Sequence, residues 1–105
     1  MRTLQFIVDG QNLKKDPACN FSNLIRGSKG YLKCRFRLSD EWKKLRIIAT
    51  FWRYDKEMAA IWATNGACEV PDEVAELKNF KIVLTGVKGN KLIKTNAVKI
   101  SQEDE

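Results

Sequence analysis

Residues 31–38 read Tyr-Leu-Lys-Cys-Arg-Phe-Arg-Leu, and apolar and polar side chains alternate through the whole stretch. The even-numbered positions place four apolar side chains on one side. The odd-numbered positions place one aromatic and three cationic side chains on the other: Tyr31, Lys33, Arg35 and Arg37. A helix would need apolar residues three and four positions apart, so this pattern predicts a β-strand with one buried and one solvated face.

The same period of two recurs further along the chain, in residues 45–54 and 80–87. In residues 45–54 both faces are partly apolar, which indicates a central strand or a strand covered on both faces. Trp42 lies between residues 31–38 and 45–54, in a short polar stretch that predicts one helical turn with the indole folded onto the core. Residues 71–77 predict a second short helix, because proline and acidic residues stand at its start.

Turn dipeptides separate the predicted strands. Asp9-Gly10 and Asn65-Gly66 are typical hairpin turns, and Lys88-Gly89-Asn90 indicates a third tight turn. The resulting count is seven to nine short strands with one or two short helical turns, which predicts a sandwich or a small barrel. We expect one domain over residues 1–100 and an acidic, frayed tail over residues 101–105.

The composition argues against catalysis. The chain has no histidine, so a Ser-His-Asp or Cys-His arrangement is excluded. Its three cysteines are widely spaced, which predicts no disulfide framework and no zinc site; Cys34 and Cys68 are expected to be buried apolar residues. Neighbouring carboxylates at residues 40–41 and 72–73 are predicted to be helix caps. The sequence therefore predicts a protein that is not an enzyme and holds no cofactor or metal.

Targeting features are equally sparse. No segment approaches the length of apolar residues that a membrane span needs, and residues 1–9 lack the apolar region of a signal peptide. We therefore expect no membrane association, and a protein that is made and used in a cytoplasm unless it leaves inside a larger particle.

The charge is unevenly distributed. The formal net charge is +6, and residues 1–53 hold twelve of the nineteen Lys and Arg residues but four of the thirteen Asp and Glu residues. A basic half of this kind indicates binding to nucleic acid, binding to an acidic protein partner, or a charged surface that only keeps the protein soluble.

Two surfaces are candidate binding sites. The first is the polar face of residues 31–37, where basic side chains beside an aromatic suit base stacking with phosphate contact, or form a solvated edge. The second carries Ile48, Trp52 and Trp62, which are either interface anchors or part of a second core layer.

Four stretches together resemble a known family: residues 30–42, 49–51, 65–74 and 93–96. In this order and spacing they resemble the small immunoglobulin-like modules of tailed phages and prophages in Gram-positive bacteria. Such modules occur near the start of upper-baseplate proteins and in head-fibre-like proteins. The resemblance implies an immunoglobulin-like antiparallel β-sandwich, with Trp42 closing one end and residues 71–77 capping the other.

The resemblance also implies a function. It predicts a non-catalytic virion or assembly module that binds a phage structural protein or itself, in the virion or in the host cytoplasm. The family's baseplate proteins carry long regions after the module, so a chain of 105 residues is expected to form an oligomer, decorate a particle or act in the infected cell. The alternatives are a phage-encoded effector that binds a host protein, such as a counter-defence inhibitor, and a nucleic-acid binder that uses the basic face.

Overall fold

A computed structural model describes residues 1–104, which form nine strands and two short helical segments. The strands are β1 (Arg2–Asp9), β2 (Asn12–Lys15), β3 (Leu32–Leu38), β4 (Arg46–Arg53), β5 (Lys56–Ala63), β6 (Ala67–Glu69), β7 (Asn79–Lys88), β8 (Lys91–Lys94) and β9 (Val98–Ser101). A 3-10 turn at Asp40–Trp42 separates β3 from β4, and the helix α1 (Asp72–Ala75) separates β6 from β7. Neither helical segment has a side-chain cap hydrogen bond, so the capping roles expected near residues 40 and 72 are wrong.

The strands pair into two sheets. Sheet one has the order β2-β1-β3-β6, and sheet two has the order β5-β4-β7. Strands β8 and β9 share the remaining edge of β7, each along one half of it. The facing sides of the sheets carry most of the buried side chains: Leu4, Phe6, Val8, Cys34, Phe36, Ile47, Ala49, Phe51, Phe80, Ile82 and Leu84. The all-β sandwich predicted from the sequence is therefore confirmed.

The alternation read from the sequence decides which side chains enter the core. Along β3 and β7 every second residue is buried, except Leu38 at the end of β3, which is half-buried, and the intervening residues are half-buried or exposed. Phe6 and Phe36 are paired in register and stack with ring centroids 5.3 Å apart. Phe51 and Phe80, both in sheet two, lie 6.2 Å apart. The aromatic rings of both sheets thus project into the space between the sheets and fill it.

Trp42 closes one end of the sandwich, as predicted. Its side chain is 1% exposed, and its indole Nε1 donates a 2.8 Å hydrogen bond to the carbonyl of Gly10. The amide of Gly10 in turn donates to the Ser39 hydroxyl at 3.1 Å. The backbone amide and carbonyl of Gly10 are therefore both hydrogen-bonded to the segment that carries Trp42.

The first hairpin differs from the expectation by one residue. Asp9 belongs to β1 and pairs with Asn12, so the loop is Gly10 and Gln11 rather than Asp9 and Gly10. Only Gly10 has a positive φ there, +59°. The Asp9-Gly10 dipeptide predicted where the turn lies, while the pairing register decided which residue adopts a positive φ.

One pairing in sheet one is parallel, which corrects the expectation of a purely antiparallel sandwich. Strands β1 and β3 run in the same direction over seven residue pairs. The connection between β2 and β3 returns the chain to the start of β1, and the Arg2 guanidinium holds it there. That group donates to the backbone carbonyls of Asn20, Ser22 and Asn23 at 3.0, 2.6 and 3.1 Å.

The turn at Asn65-Gly66 is also used differently than expected. Both residues have positive φ, +53° and +72°, as a tight turn requires. However, β5 lies in sheet two and β6 in sheet one, so the turn carries the chain from one sheet to the other. Cys68 and Val70 are buried after this crossing, as predicted.

Residues 101–104 correct the prediction of a frayed tail, and Glu105 lies outside the described residues. Gln102 is 3% exposed, and its amide donates to the carbonyls of Ala75 and Leu77 at 2.9 and 2.8 Å. The backbone amide of Glu103 donates to the Leu24 carbonyl at 2.7 Å. The polar composition of this segment suggested exposure, but it follows β9 directly and satisfies the backbone at the end of α1.

Candidate binding faces

The candidate contact residues divide between the two outer faces of the sandwich. Lys33, Arg35 and Arg37 point outward from sheet one, and Tyr31, which immediately precedes β3, is 46% exposed. Trp52 and Trp62 point outward from sheet two. Because the two outer faces of a sandwich point away from each other, one flat partner surface cannot contact both groups.

The basic face is the outer side of sheet one, which we define by Lys14, Lys33, Arg35 and Arg37. The three β3 cations lie beside Thr3, Gln5 and Ile7 of β1 in register. Lys14 of β2 lies opposite Ile7 of β1 and extends the row of cations across a third strand. The sequence analysis missed Lys14 because a four-residue strand does not reveal its register.

Few carboxylates face these cations. Glu69 of β6 lies opposite Lys33, and among residues 1–104 none of the four basic-face side chains forms a salt bridge. Exposed charges of one sign raise the local concentration of oppositely charged partners. The basic face is thus an electrostatic surface with little apolar area.

The apolar face is the outer side of sheet two and has the opposite character. Register places its side chains in rows across the strands: Trp62, Ile48 and Thr85 in one row, Ala60, Thr50 and Val83 in the next, and Val87 with Leu92 beside them. Trp62 is 48% and Leu92 is 56% exposed. No segment among residues 1–104 packs over this face as a second layer. Arg46 and Lys94 lie beside Val87 and Thr85 in the same rows, so cations flank the apolar side chains. Exposed apolar side chains in neighbouring rows make this face a candidate docking surface.

Both tryptophans of the apolar face are held in place. The Arg46 guanidinium lies 4.1 Å from the centre of the Trp62 ring system. The Trp52 indole Nε1 donates a 2.9 Å hydrogen bond to the Thr50 hydroxyl, which itself donates to the Val83 carbonyl at 3.3 Å. Side chains that are ordered before binding lose less conformational entropy when a partner covers them.

The sequence analysis found Ile48, Trp52 and Trp62 but missed Val83, Val87 and Leu92. The partly apolar second face of residues 45–54 was the available signal, and β4 is indeed a central strand between β5 and β7. The missing three residues come from β7 and β8. They become part of the apolar face only because β7 pairs with β4, and no local sequence pattern predicts that pairing.

The buried thiols form a cross-strand pair rather than a reactive site. Cys34 and Cys68 lie opposite each other on β3 and β6 and are 0% and 7% exposed. Their burial confirms the prediction. A hydrogen bond that the Cys34 thiol donates to Cys68, together with burial, raises the pKa of Cys34 well above its usual value, and the same bond lowers the pKa of Cys68. The protonated Cys34 thiol is a poor nucleophile, and burial keeps reagents away from Cys68.

Thiol modification is therefore expected to be site-selective. With a disulfide-exchange reagent at mildly alkaline pH, the half-buried Cys19 should react first, while Cys34 and Cys68 should react only when denaturant is added. Absorbance of the released thiolate measures both phases. The variant Cys19→Ser should lack the fast phase; a fast phase that persists in it would contradict the buried thiol pair.

In residues 1–104 no three potential His, Cys, Asp or Glu ligands gather into a metal-binding group. Within the same residues, no helix has the length and hydrophobicity to cross a bilayer. Comparisons with protein families, with curated proteins and with solved structures find no match to this chain.

Proposed function

We propose that this chain is a non-catalytic protein-binding module of a tailed-phage or prophage particle, or of its assembly, and that it docks through the apolar face. The exposed apolar face is the observation that carries the proposal. The family resemblance of roughly residues 30–100 supplies the biological setting. The partner is a phage structural protein or a second copy of the chain.

Physical chemistry favours the apolar face as the docking surface. Covering apolar area releases about 25 cal/mol per Å², and Trp62 and Leu92 are about half exposed. Aromatic residues near the centre of an interface contribute most of the binding energy. The basic face lacks such anchors apart from Tyr31 at its border.

The test is recovery of the chain with particles after prophage induction. The double variant Trp62→Ser with Leu92→Ser should reduce particle association, or the affinity of the oligomer, by about tenfold or more. Both side chains are exposed, so the variant should unfold at nearly the same denaturant concentration as the parent. Quantitative mass spectrometry of purified particles and light scattering of the purified chain provide the measurements.

Tyr31→Ser is the matched control, because Tyr31 is also about half exposed but lies on the other side of the sandwich. It should leave particle association unchanged. Recovery of the parent chain only as a soluble monomer would contradict the proposal. Recovery in a stoichiometric complex with a host protein would instead favour the effector alternative.

Nucleic-acid binding is the second candidate function, supported by the row of cations on the basic face. Arg35→Glu with Arg37→Glu should then abolish most of the affinity for a single-stranded oligonucleotide. Affinity should also fall steeply as salt rises, because phosphate contacts release condensed counterions. Fluorescence anisotropy at two salt concentrations measures both effects, and affinity that does not change with salt excludes this candidate.

A further inference from the structure

The turn between β4 and β5 places a tyrosine where the equivalent turns have glycine. Three hairpins have a two-residue loop, and in each the first loop residue has a positive φ: +59° at Gly10, +53° at Tyr54 and +56° at Gly89. Bulky side chains rarely adopt this conformation. Glycine does so at little cost, and asparagine is the usual non-glycine alternative.

Tyr54 gains little packing in this conformation; the Arg53 guanidinium lies 6.0 Å from the centre of its ring. Its side chain is 77% exposed, the most exposed of the large apolar or aromatic residues in the described part of the chain. Residues held in unfavourable backbone conformations cluster at functional sites. An exposed aromatic at a strained position therefore indicates a residue kept for contact with a partner.

The surroundings of Tyr54 are cationic. It lines a cleft at one end of sheet two together with Trp52, Arg53, Lys81 and Lys99, which we call the cationic cleft. Register places Trp52, Lys81 and Lys99 side by side on β4, β7 and β9. Adjacent strands lie about 4.8 Å apart, so one aromatic and two ammonium groups form a short row, and Glu57 of β5 lies opposite Trp52 at the end of it.

The charges of the cationic cleft are not balanced within the chain. Like charges directly opposite each other in a sheet are destabilising, and Lys81 faces Lys99 in this way. Arg26 and Lys78 also line the cleft, and both pair with Asp104 at 3.3 and 3.9 Å. Glu76 is a carboxylate of the cleft wall, yet in residues 1–104 no salt bridge reaches Arg53, Lys81 or Lys99.

We infer that the cationic cleft binds an acidic segment of a protein partner, with an apolar or aromatic side chain of that segment packed against Tyr54 and Trp52. This inference rests on the proposed function, since Trp52 belongs both to the cleft and to the apolar face. Tyr, Trp and Arg are the residue types enriched where protein interfaces are strongest. A second copy of the chain is disfavoured as occupant, because its own net charge is +6.

Selection from a display library of short random peptides on the immobilised chain tests the inference. Enriched peptides should be rich in Asp and Glu around a Leu or an aromatic residue, and their affinity should fall as salt rises. Lys81→Glu with Lys99→Glu should weaken the binding of a selected peptide by about tenfold or more. Lys88→Glu with Lys91→Glu is the matched control: it makes the same charge change at an opposed lysine pair at the far end of β7 and should leave the affinity within about twofold.

Tyr54→Asn separates binding from folding. It should lose most of the peptide affinity, while the melting temperature stays the same or rises, because asparagine tolerates the positive φ. Peptides that are neutral or basic, or that bind the Lys81→Glu/Lys99→Glu variant as tightly as the parent, overturn the inference. Tight binding of an oligo(dT) strand at this cleft in place of acidic peptides overturns it as well.

Particle association distinguishes this inference from the proposed function. If Trp62→Ser with Leu92→Ser releases the chain from particles but the cleft variants do not, the proposed function stands and the acidic partner is wrong. If the chain is absent from particles yet acidic peptides still require Tyr54 and Lys81, the cleft assignment stands and the particle role is wrong.

Discussion

Replacing Trp42 with alanine is expected to destabilise the fold by about 3–5 kcal/mol, the range for truncating a large buried aromatic residue. The side chain is 1% exposed and packs where the 3-10 turn meets β7. Its loss would also remove the 2.8 Å hydrogen bond to the half-buried Gly10 carbonyl, a net contribution of about 1 kcal/mol. Small domains have a free energy of unfolding of about 5–15 kcal/mol in total, so this variant would lose a large part of it.

Urea denaturation followed by circular dichroism measures this effect. The matched control is Trp62→Ala, which removes the same side chain from a position that is 48% exposed. We expect the control to shift the midpoint far less than Trp42→Ala does. Equal shifts for the two variants would mean that Trp42 does not close the sandwich as described.

Gly86→Val is expected to destabilise the fold by about 1–3 kcal/mol or more, because it overpacks the same end of the core. A Cβ atom at Gly86 would lie 2.8 Å from Cζ3 of Trp42 and 2.8 Å from Cδ1 of Leu45. The backbone of Gly86 is ordinary strand, so conformation alone does not require glycine there. What requires it is the approach of the indole ring to the backbone of β7.

A double-mutant cycle makes this prediction specific. In a Trp42→Leu background the smaller side chain leaves room, so Gly86→Val should cost clearly less than it does in the parent. Thr85→Val, which introduces the same side chain at the neighbouring position on the outer face, should change stability little. Additive costs for residues 42 and 86 would show that their contact is not what excludes a side chain at position 86.

Local patterns predicted a large part of this fold. The alternation in residues 31–38 and 80–87 identifies two strands and their buried faces, since a period of two has a single meaning once one face is dry. Trp42 could be assigned to the core because it is the one large apolar side chain in a polar turn. Charge and the absence of histidine favour a binding protein, which stays a prediction.

The candidate sites were only half predictable. The basic side chains at positions 33, 35 and 37 share a face because they belong to one strand, and Lys14 could not be added to them without the register of β2. On the other side, Ile48, Trp62, Val83 and Leu92 come from four separate strands. Their proximity depends on strand pairing between distant segments, and no short-range pattern encodes it.

The amino-acid sequence by itself determined the approximate positions of most strands and turns and the buried side of β3 and β7, because these depend on neighbours along the chain. The tertiary structure alone decided the parallel pairing of β1 with β3, the crossing between sheets at Asn65-Gly66 and the positive φ of Tyr54. These features depend on which strands become neighbours in space, and that choice is made by packing two sheets around one core.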